Sequence, residues 1–282
     1  MYEENQINEQ EKTNQNIEIS LILEAIYLKY GYDFRNYSKA HVKRRLLNRF
    51  NKDKFTSLAE MQHRLLNDPE WFHSLLVDLS LNVTEMFRDP KFFHAIRELA
   101  VPLLKTYPFL KVWHAGCSTG EEVYSMAILL EEEKLLDKCI IYATDFNQIV
   151  LSSAAEAIYP VSRMKDYTEN YNKAGGKASF SDYCTVQYHA VKLDQRLKKK
   201  IVFSDHNLVT DGAFGEMNMI VCRNVLIYFN RELQNKVIKL FYECLLPGGI
   251  LCLGTKETLM FSEYNEKFQQ ISKLNIFKKL YR

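Results

Sequence analysis

The five residues from Gly116 to Gly120 read Gly-Cys-Ser-Thr-Gly, and this order could support two different kinds of chemistry. It fits G-x-S-x-G, the sharp turn that presents a nucleophilic serine in α/β-hydrolases, with Ser118 as the nucleophile. It also fits a glycine-rich turn between a strand and a helix, where the backbone approaches a nucleotide-like cofactor closely. The elements around the turn decide between these two readings.

The surrounding sequence disfavours a serine hydrolase. That fold needs earlier strands to supply an oxyanion loop, whereas the chain before Val112 is patterned as helix. Its triad also needs an acid followed by a histidine, and the last histidine of the chain is His206. Only Asp145 with His189 or His206 could complete a triad, and that pairing comes too early in the fold. We therefore interpret the turn as part of a cofactor site.

The segment before the turn predicts a helical domain. From Ile19 to Leu104, apolar residues recur every three or four positions, which is typical of helices with one buried face. Residues 1 to 17 are rich in Asn, Gln and Glu and nearly free of apolar side chains, which predicts a disordered tail. We place the helical domain at residues 18 to 104.

Beyond Pro108, strands alternate with helices over residues 105 to 282, which predicts a mostly parallel sheet covered on both faces. The last strands, near Phe268 and Ile276, are expected to form an antiparallel pair. The stretch of about 158 to 200 does not fit the alternation. It contains an alternating strand pattern from Thr185 to Val191, and we expect an inserted small antiparallel subdomain.

The turn and the second strand together predict an adenosine-type cofactor. Gly116 and Gly120 permit close approach of the backbone, and Asp145 ends the following strand, where a carboxylate can accept both hydroxyls of a ribose. These residues alone fit a nicotinamide dinucleotide or S-adenosylmethionine. The spacing of 29 residues from Gly116 to Asp145 exceeds the roughly 20 of the dinucleotide fingerprint, which favours the second.

Composition limits the cell compartment and the kind of site. The six cysteines form no C-x-x-C pair, and several lie in apolar strand-like runs, so we expect free thiols and a cytoplasmic protein. No Cys/His group has the spacing of metal ligands, so no metal is expected. No apolar run is long enough to span a membrane, and the net charge of +2 identifies no partner.

Four stretches, in this order, resemble the CheR family of chemotaxis-receptor glutamate O-methyltransferases. They are Asn82 to Arg88, Ala115 to Ser125, Ala143 to Asp145, and Cys222 to Phe229, the last reading Cys-Arg-Asn-Val-Leu-Ile-Tyr-Phe. The resemblance implies a methyltransferase-type Rossmann fold with an antiparallel last strand, preceded by an all-helical domain. It also implies S-adenosylmethionine as cofactor, S-adenosylhomocysteine as product, and chemoreceptor helices as substrate.

The family's binding positions carry over to particular residues of this chain. Those implied for the cofactor are Asn82, Thr84, Arg88, Glu122, Asp145, Asn207, Leu208, Arg223 and Asn224, to which the glycine turn itself adds Gly116. Arg88 would pair with a carboxylate of the cofactor or of the substrate. Tyr228 would orient the methyl acceptor through its hydroxyl. The remaining alternative is a non-catalytic protein of the same fold that binds S-adenosylmethionine and serves as a sensor or scaffold.

A basic segment from residue 35 to 54 suggests how the substrate is bound. In its predicted helix, Val42, Leu46 and Phe50 should face inward, while Arg45 and Arg49 lie on another face. We expect those two arginines to point outward and dock the acidic, Glu-rich helices of a receptor. Nucleic acid is the competing partner for a basic stripe, and the near-neutral whole chain disfavours it.

Ser118→Ala should leave the reactivity toward hydrolase probes unchanged, because the parent protein should already fail to react. The measurement is labelling by a fluorophosphonate, followed by peptide mapping. Covalent modification of Ser118 in the parent would contradict the assignment of this turn to a cofactor.

Overall fold

The computed structural model describes residues 2–79 and 84–281, and the chain divides into two compact units. The first comprises Met1–Leu81 with Tyr228–Leu233, and the second comprises Asn82–Ile227 with Gln234–Arg282. The sequence predicts a boundary after residue 104, and the structure corrects this to residue 81. The helical pattern does continue to Leu104, but periodicity does not reveal which core a helix joins. Here Ile96 and Leu104 are buried in the core of the second unit.

The first unit is built from helices with one apolar face each. Its buried side chains include Ile22 and Ile26 of the first helix and Leu46 of the second. Ser57 caps the third helix by accepting a hydrogen bond from the backbone N–H of Glu60, as expected for a serine at an N-cap. The helices are α1 (Tyr2–Tyr30), α2 (Lys39–Lys52), α3 (Leu58–Asn67) and α4 (Pro69–Leu79).

The first helix extends through the segment for which the sequence predicts a disordered tail. Residues 2 to 17 lie in α1, which begins at Tyr2. Glu, Gln and Lys are good helix formers, and this stretch contains no Gly or Pro. Adding residues to an existing helix needs no new nucleus, so a polar segment can be helical without burying an apolar face.

The basic face of α2 is not arranged as predicted. Arg45 and Arg49 are both buried, with 9% and 8% of their surface exposed, rather than outward-facing. Arg49 donates to Asp53 at 2.6 Å and to Asp78 at 2.8 Å. Hydrophobic periodicity distinguishes the faces of a helix, but it does not show whether acidic residues elsewhere in the chain pair with the basic side chains on one face. Arg49 is therefore an internal ion-pairing residue and not part of a docking surface.

The second unit contains a seven-stranded sheet with the strand order β6-β2-β1-β7-β8-β10-β9. The first five strands in this order are parallel, and β10 is antiparallel to both neighbours, which confirms the predicted fold class. Every residue of the central strand β7 is buried, as two covered faces require. The strands are β1 (Leu110–Ala115), β2 (Cys139–Asp145), β6 (Ile201–Asp205), β7 (Met217–Cys222), β8 (Leu245–Leu253), β9 (Phe268–Ser272) and β10 (Ile276–Lys279).

Helices cover this sheet and connect its strands. The segment between residue 90 and residue 104 includes a π-helical turn at Ile96–Ala100. The thiols of Cys139, Cys222 and Cys252 are buried, and all six cysteines are free. The helices are α5 (Pro90–Ala95), α6 (Val101–Leu104), α7 (Glu121–Glu132), α8 (Gln148–Glu156), α9 (Met164–Lys173), α10 (Gln195–Lys198) and α11 (Arg231–Cys244).

The inserted subdomain is a three-stranded antiparallel sheet of order β3-β5-β4. Its strands are β3 (Ile158–Pro160), β4 (Cys184–Gln187) and β5 (Ala190–Leu193). The sequence predicts one strand from Thr185 to Val191, whereas the structure makes it a hairpin that turns at Tyr188 and His189. Tyr188 has a φ of +53°, a left-handed conformation that composition alone gave no reason to expect in a tyrosine.

Arg49→Glu should destabilise the first unit, because it places a third carboxylate against Asp53 and Asp78. Disrupting a buried pair costs about 3–5 kcal/mol, and the partial exposure of Asp78 favours the lower end of that range. The measurement is the free energy of unfolding in urea. The matched control is Arg44→Glu on the exposed side of α2, which should change stability by about 0.5 kcal/mol or less. Equal stability of the two variants would contradict this description of Arg49.

Candidate cofactor-binding site

The turn after β1 has a backbone that requires its glycines. Gly116 and Gly120 have φ values of +77° and +89°, in the left-handed region. A Cβ on Gly116 would lie 2.6 Å from a methyl group of Val225, and one on Gly120 would lie 2.9 Å from the Cβ of Ala154. Both glycines therefore meet a conformational and a spatial requirement, and the turn packs directly against the loop that follows β7.

Asp145 joins this turn to the end of β2. Its carboxylate accepts hydrogen bonds from the backbone N–H groups of Ser118 and Asn147, both at 3.0 Å. Burial raises the pKa of Asp145, and the backbone donors oppose this effect only in part. Each carboxylate oxygen can accept two hydrogen bonds, so Asp145 retains acceptor capacity for a ligand. Two further hydroxyl donors from a ligand would stabilise the charged form of this buried acid.

An ion-pair cluster lies beside the turn, at the start of α7. Arg223 donates to Glu122 at 2.6 Å and to Asp89 at 2.6 Å, and its guanidinium lies 3.9 Å from the ring centroid of Phe92. Burial opposes ionisation of Glu122, but Arg223 and His114 outweigh it and lower the pKa of that carboxyl. One guanidinium faces two carboxylates, so the cluster carries excess negative charge and is suited to a cationic ligand group.

The segment before α5 contributes to the same region. Its backbone is fixed to α7 by a hydrogen bond of 2.8 Å from the N–H of Phe87 to the hydroxyl of Ser125. The carbonyl of Arg88 lies 3.5 Å from a guanidinium nitrogen of Arg223. Thr84 and Arg88 are both half-buried. Asn82, the other candidate predicted here, lies outside the described residues.

Loops that follow β6 and β7 hold the remaining candidates of this unit. Asn207 folds its own loop by accepting from the N–H of Val209 at 3.0 Å, and Leu208 is buried. Asn224 follows Arg223 with a left-handed φ of +62°. Because β6, β2, β1 and β7 are adjacent and parallel, their carboxyl ends bring these loops to one edge of the sheet. The strand order reverses between β1 and β7, where ligands of such sheets bind.

Two family models match the chain. The CheR methyltransferase SAM binding domain matches residues 82–276, and the CheR methyltransferase all-alpha domain matches residues 17–80. The chain belongs to the CheR methyltransferase family. The sequence expectation of this family is thereby confirmed.

Curated relatives include proteins from several bacteria. A Pseudomonas putida protein named "Putative methyltransferase Cher3" is 50% identical, over 94% of this chain and 98% of that protein. A chemotaxis protein methyltransferase of Listeria monocytogenes is 29% identical, over 82% of this chain and 86% of that protein. One of Salmonella typhimurium is 28% identical, over 84% and 82%.

The residues at this edge of the sheet fit S-adenosylmethionine chemically. Asp145 can accept ribose hydroxyls, and the carboxylates of Glu122 and Asp89 suit a sulfonium or ammonium. Among residues 2–79 and 84–281, no group of His, Cys, Asp and Glu side chains could hold a metal ion. The same residues include no helix with the length and hydropathy needed to cross a membrane.

Arg45, Arg49 and Tyr228 are the predicted site residues that belong to the first unit. The candidates in the second unit that are brought to the sheet edge are Arg88, Gly116, Glu122, Asp145, Asn207, Leu208, Arg223 and Asn224. Thr84 belongs to the same unit and is half-buried.

Glu257 is a site residue that sequence reasoning missed. Its buried carboxylate accepts from the backbone N–H groups of Asn224 at 3.1 Å, Val225 at 2.9 Å and Ile227 at 3.3 Å, and also from that of Gly254. It therefore shapes the loop after β7 without contributing a side chain to the sheet edge. The sequence does show an acidic residue shortly after the end of strand β8. It does not show which backbone groups this residue binds, because Asn224 and its neighbours lie far earlier in the chain.

Asp145→Ala should weaken binding of S-adenosylmethionine by about tenfold to a hundredfold for each hydrogen bond lost, since bonds to a charged acceptor contribute roughly 1.5–3 kcal/mol. Binding to the parent should also weaken as the pH falls through the raised pKa of Asp145, because the protonated acid is a poorer acceptor. Calorimetry measures both effects. Asp137→Ala, at a fully exposed position, is the control. Unchanged affinity in a folded Asp145→Ala protein would remove this residue from the site.

Proposed function

We propose that this protein transfers a methyl group from S-adenosylmethionine to glutamate side chains of a chemoreceptor's cytoplasmic helices. The observation that carries the proposal is the convergence of the Gly116 turn, Asp145 and the Glu122–Arg223 pair within the stretch that matches the SAM binding domain. Support for a receptor substrate comes from the relatives named as chemotaxis protein methyltransferases. The enzyme would then work in the cytoplasm.

The reaction requires alignment of the methyl donor with the acceptor carboxylate rather than acid–base chemistry. The bound cofactor supplies a methyl group on a positively charged sulfur, and the methyl carbon exchanges its bond to sulfur for one to a carboxylate oxygen. A glutamate with a pKa near ~4.3 is already ionised at neutral pH, so no general base has to remove a proton. The work of the protein is to orient the two partners and to exclude water.

The described residues divide this work. Asp145 would hold the ribose hydroxyls, and the turn from Gly116 to Gly120 would let backbone approach the cofactor. The negative charge of Glu122, held by Arg223 and by His114 at 3.4 Å, would favour the cationic part of the cofactor. Once the methyl group has left, the product is neutral at sulfur, and this electrostatic attraction is lost.

Arg88 and Tyr228 are proposed for the methyl acceptor. Arg88 is a half-buried cation next to Asp89, and a guanidinium can hold a carboxylate with two parallel hydrogen bonds. Tyr228 follows Arg223 by five positions and carries a hydroxyl that can donate to a carboxylate oxygen. Both roles rest on the family resemblance of the motifs in which these residues lie.

The docking surface on α2 needs different residues from those predicted. Arg45 and Arg49 are buried, and the exposed Arg35 is paired with Asp33 and Glu24. Four further basic side chains of the same segment are exposed: Lys39, Arg44, Lys52 and Lys54. A cluster of exposed cations attracts a Glu-rich helix over the Debye length of about 8–10 Å. We assign the attraction of the receptor to these four side chains.

Incubation with S-adenosylmethionine and purified chemoreceptor cytoplasmic fragments should add one methyl group to each of a few glutamates. Mass spectrometry of receptor peptides locates them, and release of methanol by mild base identifies them as esters. Receptor fragments with those glutamates changed to glutamine are the control and should gain nothing. A protein that binds the cofactor yet methylates no glutamate across a panel of receptors would instead support the non-catalytic, cofactor-sensing alternative.

A further inference from the structure

The segment that carries Tyr228 is held by the helical unit. The backbone N–H of Ser38 donates to the carbonyl of Tyr228 at 2.7 Å, and that of Asn230 donates to Asn36 at 2.9 Å. Between them, Tyr37 and Phe229 form an antiparallel bridge, with ring centroids 5.0 Å apart. The backbone of Tyr228 is thus fixed by the stretch that leads into α2.

The side chain of Tyr228 meets α2 itself. The guanidinium of Arg45 lies 4.9 Å from the centroid of the Tyr228 ring, within the range of a cation–π contact. The ring of His41, one turn earlier, meets the same ring edge-on at 5.6 Å. Burial lowers the pKa of Arg45, and the electrostatic interaction with Tyr228 opposes that effect.

The environment of Arg45 differs from that of Arg49, one turn later. Arg49 is paired with two carboxylates, whereas no ion pair of Arg45 occurs among residues 2–79 and 84–281. The Arg45 guanidinium lies beside the Tyr228 ring and donates to the backbone carbonyl of Leu79, while its Nε and Nη2 have no hydrogen-bond partner among the described residues. A buried cation costs free energy unless its surroundings stabilise it. Because Arg45 lies beside a tyrosine rather than an acid, ion pairing does not account for its burial, whereas a function of the Arg45–Tyr228 pair would.

We infer that Arg45 is a positioning residue for methyl transfer, which acts by orienting the phenol of Tyr228. The Arg45 cation lies beside the Tyr228 ring, and a guanidinium has no acceptor atom, so the phenol hydroxyl must donate its hydrogen to a different group. A carboxylate is such an acceptor. This inference rests on the proposed function, in which Tyr228 orients the receptor glutamate, and it replaces the docking role that the sequence predicts for Arg45.

The test combines Arg45→Met, Arg45→Lys and Tyr228→Phe with the double variant Arg45→Met/Tyr228→Phe, assayed on receptor fragments. Arg45→Met should lower kcat by about tenfold to a hundredfold, the effect of losing a desolvated cation–π contact. KM and the salt dependence of kcat/KM should stay as in the parent, and Arg45→Lys should recover part of kcat. In the Tyr228→Phe background, Arg45→Met should cost less than about threefold, because contacting residues are not additive.

Two results would overturn the inference. If the effects of Arg45→Met and Tyr228→Phe multiply, Arg45 acts independently of the phenol. If Arg45→Met raises KM and flattens the salt dependence, Arg45 is a docking residue after all. Asn48→Ala, at an exposed position on the same helix, is the control and should behave as the parent does.

A second measurement does not depend on activity. With 3-fluorotyrosine incorporated at position 228, the ¹⁹F resonance should shift and broaden in Arg45→Met, remain close to that of the parent in Asn48→Ala, and lie between them in Arg45→Lys. A parent protein that methylates no receptor would overturn the proposed function, and the ¹⁹F spectra would still decide whether Arg45 orients the phenol. An unchanged resonance in Arg45→Met would overturn the inference even if the enzyme is active.

Discussion

The neutralisation of Arg223 is the constraint on which the second unit's site depends. This guanidinium is almost wholly buried, and a buried cation is tolerated only with well-placed partners. Glu122 from the start of α7 and Asp89 from the segment before α5 supply them, while Phe92 covers the face of the guanidinium. Three stretches far apart in the chain are thereby fixed at the carboxyl end of β7. Loss of either acid would leave part of the guanidinium without its hydrogen-bond acceptor as well as loosening the site.

Backbone groups complete the same edge of the sheet. The carboxylate of Asp145 joins the turn after β1 to the end of β2, and that of Glu257 holds the loop after β7 through successive N–H groups. Burial raises the pKa of both acids, so their backbone donors are what makes the charged forms acceptable. Asp145 and Glu257 play parallel parts, although only Asp145 is in a position to bind a ligand itself.

The two buried arginines of α2 have different roles, although they are the same residue type on the same face of the helix. Arg45 and Arg49 are one turn apart and share a face, so the sequence treats them alike. In the structure, Asp53 and Asp78 satisfy Arg49, which makes it an internal support of the helical unit. Arg45 instead contacts an aromatic ring from a motif almost two hundred residues later in the chain. The difference depends entirely on which partners the tertiary fold supplies.

Local rules and specific motifs determined much of this protein from sequence alone. The alternation of strands and helices, the glycine turn, and the position of Asp145 at a strand end are properties of neighbouring residues, and so they could be derived without coordinates. The CheR motifs identified the family for the same reason. Tertiary structure alone decided that the helix through Leu104 joins the second core, that Tyr188 turns a hairpin, and that Arg45 and Arg49 are buried. It alone revealed Glu257, because its partners are some thirty residues away. Each of these features depends on contacts between distant parts of the chain, which periodicity and spacing do not encode.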